Sequence, residues 1–256
     1  MGETRRGFGH AGVRSMSYLK DFRLKPWKDA CDSGGERAPA EYEAARRSMI
    51  ETQIHRRGVN DAAVLAAMSA VPRHEFVPAE FRRRAYEDAP LPIGDGQTIS
   101  QPYIVAAMTA ALGLKGAERV LEIGAGCGYQ AAVLASLARE VITIEYRGEL
   151  ATAAAERLTR LGYANVHVHC GDGTLGLPEL APFHAILVAA GAPAPPGPLV
   201  AQLAGGGRMI VPVGSIENQE LHLIERTGDT LRTTVLEPCR FVPLVGAHGW
   251  KESCFR

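Results

Sequence analysis

An apolar run followed by three alternate glycines restricts the folds open to this chain. Residues 120–123 are typical of a buried parallel strand, and residues 130–138 are typical of a helix. Gly124, Gly126 and Gly128 lie between them. This order opens a nucleotide-binding βαβ unit, in which glycine allows a tight turn and a close approach of ligand to backbone. We therefore predict an α/β protein with a doubly wound, mostly parallel sheet.

The glycine spacing and two acidic residues narrow the choice of ligand. A dinucleotide fingerprint, G-x-G-x-x-G, needs glycine where this chain has Tyr129, so a dehydrogenase is disfavoured. Glu122, just before the turn, would repel a pyrophosphate but suits a cationic ligand. S-adenosylmethionine (SAM) is such a ligand, since it carries a sulfonium and an ammonium group. Glu145, about 20 residues beyond the first glycine, is placed to accept hydrogen bonds from both ribose hydroxyls. The alternative is a glycine turn that binds no nucleotide.

Asp172 is a further candidate, because it lies between two glycines after a short predicted strand. The carboxyl ends of parallel strands form the ligand-binding edge of an open α/β sheet. Asp172 could accept a hydrogen bond from an adenine amino group there. A plain turn aspartate is the alternative, and it is common in such a triplet.

Ser100 lies in a Pro- and Gly-rich loop, residues 89–102, ahead of a predicted helix that begins near Pro102. We interpret Ser100 as the N-cap of that helix. The N–H groups and the dipole at a helix N-terminus favour an anion. Ser100 is therefore also a candidate for binding a substrate carboxylate, although it could serve only as a cap.

Composition excludes several classes of function. The formal net charge is zero, so no broad attraction to nucleic acid or to an anionic membrane is expected. Five widely spaced cysteines argue for a reducing, cytoplasmic location. No apolar run approaches the ~18 residues of a membrane span. His167, His169 and Cys170 lack a local fourth ligand and match no familiar zinc spacing, so no metal is expected.

The chain resembles the protein-L-isoaspartate (D-aspartate) O-methyltransferases over about residues 47–246. The most specific part of the resemblance is Gly-Gln-Thr-Ile-Ser-Gln-Pro at residues 96–102. Residues 120–130, 171–173 and 240–244 also carry it. The glycine pattern alone marks SAM-dependent methyltransferases in general.

The resemblance implies a Rossmann-like, SAM-dependent domain that methylates the α-carboxylate of L-isoaspartyl residues in damaged proteins and peptides. The family's ester product collapses to a succinimide and reopens partly to normal aspartate, which amounts to repair. Ser100 is implied at the methyl-transfer site. Cofactor-binding positions are implied at Thr98, Ile99, Glu122, Gly124, Gly126, Gly128, Glu145, Asp172, Gly173 and Gln219. Two departures are Cys127, where serine is common, and Gly191, where the family often has another small residue.

The pattern divides the chain into an extension and one domain. Residues 1–39 show little periodicity and contain a Gly-rich linker, so a flexible extension is expected. Residues 40–256 are predicted to form a single methyltransferase domain, acting as a monomer. Within it we expect a helical layer, a SAM-binding core and C-terminal strands at residues 40–115, 116–215 and 216–246.

Two other functions stay open at this point. A SAM-dependent methyltransferase could act on a small molecule or on RNA, but an RNA enzyme should show basic or aromatic stacking surfaces. The neutral, serine-bearing segment 97–102 instead suits a carboxylate on a peptide. A SAM-binding regulator that has lost turnover is the non-enzymatic alternative, and nothing in the sequence excludes it.

Overall fold

The computed structural model of this chain describes residues 37–254. The predicted extension, residues 1–39, lies outside these residues except for its last three positions. The described part begins with helices: α1 (Pro39–Met49), a π-helical turn (Ile50–Ile54), a 3₁₀ turn (His55–Arg57) and α2 (Ala62–Ala70). Gly58 ends the 3₁₀ turn with a φ of 97°, a conformation that glycine adopts without strain. Asp61 caps α2, since its carboxylate accepts hydrogen bonds from the N–H groups of Ala63 and Val64.

A small antiparallel hairpin precedes the main sheet. Its strands are β1 (Leu91–Gly94) and β2 (Gln97–Ile99), and α3 (Pro102–Leu112) follows it. Asp95 and Gly96 form the turn, with φ values of 52° and 68°. Two positive φ angles in a two-residue turn match the right-handed twist of the flanking strands. Residues 89–102 were predicted to form only a loop, although an Asp-Gly pair between apolar residues is a strong hairpin signal.

The main sheet has seven strands in the order β5-β4-β3-β6-β7-β8-β9. The first five strands in this order are parallel, and β8 and β9 are antiparallel to their neighbours. The elements are β3 (Arg119–Ile123), α4 (Tyr129–Ala135), β4 (Glu140–Glu145), α5 (Gly148–Arg160), β5 (Val166–Cys170), β6 (Phe183–Val188), α6 (Gly197–Ala201), β7 (Leu203–Gly214), β8 (Gln219–Thr227) and β9 (Thr230–Cys239). The chain runs outward from β3 to β5 and then returns to place β6 beside β3. This reversal between β3 and β6 is where ligands bind in open α/β sheets.

The central strands are buried on both faces. Val120 of β3 packs into one apolar cluster with the helical layer, whereas Leu121 and Ile123 pack into a second cluster on the opposite face. Successive side chains of a strand point to opposite faces, so one short apolar run supplies both layers. The predicted fold class is thus explained by the residues of β3 themselves.

One local prediction was wrong. Gln101, not Ser100, is the N-cap of α3, and no side chain caps this helix. Pro102 occupies the first helical position, so the residue before it is necessarily the cap. Strand β7 contains three consecutive glycines, Gly205, Gly206 and Gly207. A Cβ on Gly207 would lie 2.9 Å from the carbonyl oxygen of His184, so close backbone packing there requires glycine.

Candidate active site

One cavity lies at the carboxyl ends of β3, β4 and β6, at the reversal of strand order. Its walls come from the β1–β2 hairpin, the glycine turn, the carboxyl ends of β4 and β6, and residues 241–250, which we call the C-terminal segment. The lining residues include Gln97, Thr98, Ile123, Gly124, Gly126, Ile144, Glu145, Tyr146, Arg147, Gly173, Ala189, Ala190 and Val242–Val245. Six of the predicted site residues fall outside this set, and their places are described below.

The glycine turn brings bare backbone to the cavity wall. Gly124 and Gly126 have φ values of 93° and 54°, which favour glycine. A Cβ on Gly126 would lie 3.2 Å from the end of the Ile93 side chain, so the hairpin packs closely over the turn. Gly128, with a φ of 88°, instead faces Leu158 of α5 and does not line the cavity. Gly128 therefore allows the glycine turn to pack closely against α5.

Glu145 is buried at the end of β4 and organises the turn. One carboxylate oxygen accepts a hydrogen bond from the Gly126 N–H at 2.8 Å, and the other accepts one from the Arg147 N–H at 3.0 Å. A carboxylate offers about four acceptor positions, so both oxygens retain capacity for a ligand. Glu145 is thus held by the backbone and presented to the cavity.

Glu122 lies beneath the turn, fully buried, and does not line the cavity. Burial raises the pKa of Glu122 to about 8; the neighbouring Thr143 hydroxyl opposes this shift and the Glu145 carboxylate adds to it. Neither Glu122 oxygen has a hydrogen-bond partner of ordinary geometry. Any effect of Glu122 on a ligand in the cavity therefore has to pass through the turn above it, and not through a direct hydrogen bond.

Asp172 and Gln219 make hydrogen bonds that fix loops around the cavity. Asp172 accepts from the N–H and hydroxyl of Thr174 and from the N–H of Ala247. Burial alone would raise the pKa of Asp172, but these hydrogen bonds hold it below its usual value. The Gln219 amide donates to two loop carbonyls and accepts from the N–H of Phe241. Neither side chain lines the cavity, so both hold the C-terminal segment in place.

We call β2 and Ser100 together the acceptor-side segment, because the resemblance implies that Ser100 lies at the methyl-transfer site. Thr98 lines the cavity, whereas Ile99 is buried in the core. Ser100 follows directly and is half-buried. Its carbonyl oxygen accepts a hydrogen bond from Arg73 at 2.7 Å, and its hydroxyl makes no hydrogen bond to any residue in the described range. Ser100 does not line the cavity, but its hydroxyl remains available to a ligand.

Sequence reasoning missed Tyr146, Arg147 and the segment Val242–Val245, all of which line the cavity. Tyr146 is 46% exposed, unusually open for an aromatic residue beside a strand end. Arg147 forms an ion pair of 2.7 Å with Asp95, which ties the hairpin turn to the end of β4. Their place directly after Glu145 was the available signal, since residues that follow a strand's carboxyl end face the ligand edge.

No group of three or more candidate metal ligands occurs among residues 37–254. His167 is exposed and lies 3.6 Å from the Glu140 carboxylate, as expected for a surface strand histidine. Within the same residues, no helix is both long and apolar enough to cross a membrane.

A family model described as protein-L-isoaspartate (D-aspartate) O-methyltransferase matches residues 44–249. The chain belongs to this family. The protein-L-isoaspartate O-methyltransferase of Roseiflexus castenholzii is 58% identical over 205 residues, which cover 80% of this chain and 94% of the relative. Protein-L-isoaspartate O-methyltransferase 1 of Syntrophobacter fumaroxidans is 54% identical over 210 residues, covering 82% and 98%.

Two solved structures give the same result. A protein-L-isoaspartate O-methyltransferase superimposes with a TM-score of 0.73 at 32% identity, covering 80% of this chain and 67% of that one. A Plasmodium falciparum structure, assigned to the same activity and in complex with S-adenosyl-L-homocysteine, superimposes with a TM-score of 0.68 at 26% identity, covering 78% and 98%. The predicted family, the Rossmann-like fold, the enzyme class, the isoaspartyl reaction and the cofactor SAM are confirmed.

The residues of the cavity fit this cofactor. Glu145 is a fixed carboxylate, and a carboxylate can accept hydrogen bonds from both hydroxyls of a ribose. Gly124 and Gly126 leave room for close approach to the backbone, and Ile123 and Ile144 supply apolar wall. Cys127, the departure from the family pattern, is buried, and burial raises the pKa of its thiol. It therefore presents no charge to the cavity.

Proposed function

We propose that this chain is an active repair enzyme, which transfers the methyl group of SAM to the α-carboxylate of L-isoaspartyl residues in damaged proteins and peptides. One observation supports this function most strongly. Thr98 of the acceptor-side segment and Glu145 of the cofactor-binding turn line the same cavity. Donor and acceptor would therefore meet within one site, where proximity supplies much of the rate acceleration.

On the donor side, the chain's task is to hold and orient the cofactor. We assign the ribose hydroxyls to Glu145 and the backbone contacts to Gly124, Gly126 and Gly173, because all four residues line the cavity. SAM supplies, when bound, an electrophilic methyl group on a sulfonium. Asp172 and Gln219 would affect cofactor binding indirectly, because they hold the C-terminal segment that forms one wall of the cavity.

On the acceptor side, the chain must orient a carboxylate and remove water from it. A carboxylate is already ionised at neutral pH, so no general base is required. We assign its orientation to Ser100, whose hydroxyl is free to donate a hydrogen bond. Thr98 lines the cavity two residues earlier, the spacing that places strand side chains on one face. This contact must stay weak, because the carboxylate loses its charge in the transition state.

The test uses SAM labelled on its methyl group and two peptides that differ only in one residue, L-isoaspartate or L-aspartate. The proposal predicts base-labile methyl incorporation into the isoaspartyl peptide alone. Incorporation into neither peptide, with SAM bound in calorimetry, would instead indicate another acceptor or a SAM binder without turnover. Incorporation into both would contradict the specificity.

We further propose that the enzyme works as a cytoplasmic monomer without nucleic acid. Four described cysteines, Cys127, Cys170, Cys239 and Cys254, are free thiols, as a reducing compartment favours. The zero net charge supports the absence of a nucleic-acid partner. Light scattering at micromolar concentration tests the monomer, and a dimer mass would contradict it.

A further inference from the structure

Arg73 is a fully buried cation beside the proposed reaction site. Its side chain is 0% exposed, and it begins a 3₁₀ turn, Arg73–Phe76, between α2 and the hairpin. Burial of a guanidinium is costly unless the charge is paired. No carboxylate forms an ion pair with Arg73 among the described residues. Burial accordingly lowers the pKa of Arg73 from its usual value.

The guanidinium joins three parts of the chain. Its Nε donates to the carbonyl oxygen of Ala85 at 2.7 Å, and its Nη2 donates to the carbonyl oxygen of Ser100 at 2.7 Å. The guanidinium carbon lies 4.9 Å from the centre of the Tyr129 ring, which follows the glycine turn. The remaining nitrogen, Nη1, is buried without a hydrogen-bond partner. Arg73 thus touches both the acceptor-side segment and the start of α4.

A purely structural role does not require this residue. A well-packed apolar side chain of similar volume often stabilises a core as well as or better than a buried ion does. The planar fork of arginine adds a fixed spacing between the groups that it binds, which neither lysine nor an apolar residue reproduces. It also places an uncompensated positive charge directly behind the Ser100 peptide.

We propose that Arg73 is a positioning residue for the methyl acceptor. It fixes the peptide of Ser100, so that the hydroxyl keeps one direction, and its charge favours a carboxylate on the far side of that peptide. This inference rests on the proposed function, because it assumes that Ser100 orients the substrate carboxylate. It assigns no contact between Arg73 and the substrate itself.

The test compares Arg73→Lys with a matched control, Arg226→Lys. Arg226 likewise donates to a backbone carbonyl oxygen, that of Val200 at 2.7 Å, and has one buried nitrogen, Nε, without a partner, but it lies in β8 and does not line the cavity. We expect Arg73→Lys to lower kcat/KM for an isoaspartyl peptide at least 30-fold. The dissociation constant of S-adenosylhomocysteine should stay within threefold of wild type, and Arg226→Lys should leave both within threefold.

A double-mutant cycle supplies a readout that a structural role would not move. If Arg73 acts through Ser100, then Arg73→Lys combined with Ser100→Ala should be no more than threefold slower than Ser100→Ala alone, because coupled residues are not additive. Multiplying effects would overturn the inference. So would a kcat/KM of Arg73→Lys within threefold of wild type, parallel loss of cofactor affinity, or an Arg73→Lys chain that unfolds while Arg226→Lys stays folded.

The wild-type assay separates this inference from the proposed function. A wild-type enzyme that methylates neither peptide overturns both. A wild-type enzyme that methylates the isoaspartyl peptide, with Arg73→Lys equally active, overturns only the role of Arg73.

Discussion

At the scale of single residues, the site separates into groups that face the cavity and groups that hold those groups in place. Glu145 and Thr98 line the cavity, whereas Glu122, Asp172 and Gln219 lie behind the walls. Motif reasoning assigned all five to the cofactor, because spacing along a chain does not distinguish a wall residue from the residue that braces it. The distinction matters for mutations, since the two groups should fail in different ways.

Ser100→Ala should separate turnover from cofactor binding. Loss of one hydrogen bond to a charged group is worth about 1.5–3 kcal/mol, so we expect kcat/KM for the isoaspartyl peptide to fall roughly 10- to 100-fold. The cofactor dissociation constant, measured by calorimetry, should stay within threefold. Ser69→Ala, at an exposed position of α2, is the matched control. Equal loss of rate and cofactor affinity would rule out the role of Ser100.

Glu145→Gln should weaken the cofactor without dismantling the turn. The glutamine carbonyl can still accept from the Gly126 N–H, so the turn keeps one of its two hydrogen bonds. Loss of charge-assisted hydrogen bonds should weaken the binding free energy of S-adenosylhomocysteine by about 2 kcal/mol, which raises its dissociation constant roughly 30-fold. Glu149→Gln, exposed at the start of α5, should leave it unchanged. An unaltered constant in Glu145→Gln would contradict the ribose assignment.

Glu122→Gln should stabilise the protein in a pH-dependent manner. The folded pKa of Glu122, about 8, lies above its ordinary value of 4.5, so between these pH values the folded state retains a proton that the unfolded state releases. Stability therefore falls as the pH rises through this window, and the variant escapes this loss. We expect its advantage in unfolding free energy to grow by about 3 kcal/mol from pH 5 to pH 8.

Urea unfolding at both pH values measures this difference, with Glu149→Gln as the exposed control. An advantage of equal size at pH 5 and pH 8 would show that Glu122 is ionised in the folded protein across this range.

At the scale of elements, the C-terminal segment forms one wall of the cavity and is held from two sides. The Ala247 N–H donates to Asp172 at 2.7 Å, and the Trp250 indole N–H donates to the carbonyl oxygen of Gly191 at 3.0 Å. A Cβ on Gly191 would lie 3.0 Å from the Gln219 side chain, so the segment packs against a crowded strand end.

Two variants test whether this wall or a direct adenine contact explains Asp172. Asp172→Asn and Trp250→Phe each weaken one attachment of the C-terminal segment. Both should therefore weaken the binding of S-adenosylhomocysteine by about 1 kcal/mol, which raises its dissociation constant roughly fivefold. Trp250 does not line the cavity, so its effect can only pass through the segment. Calorimetry that shows a loss for Asp172→Asn alone would favour the adenine contact instead.

The elements could be predicted unevenly from the sequence. Strand β3 was placed to within about one residue, because a short apolar run that ends at a glycine turn is typical of a buried strand. The hairpin was missed, since Asp95 and Gly96 were interpreted as loop residues. The helical layer expected at residues 40–115 contains a π-helical and a 3₁₀ turn, and tertiary packing decides such local windings more than propensity does.

At the scale of the whole molecule, the cavity is assembled from segments about 150 residues apart, from Gln97 to Val245. The parallel half of the sheet forms the cofactor-binding side of the cavity, and a single motif at residues 120–130 predicts this side. The acceptor side and the C-terminal wall depend on tertiary packing, so no local pattern predicts the contribution of Val242–Val245. Knowledge of the fold is needed to bring these parts together.

The most direct measurement is a crystal structure with S-adenosylhomocysteine and an isoaspartyl peptide bound together. The account predicts both ribose hydroxyls on the Glu145 carboxylate and the peptide's α-carboxylate within hydrogen-bond distance of the Ser100 hydroxyl. Ribose held by another group, or a carboxylate bound away from Ser100, would contradict the account.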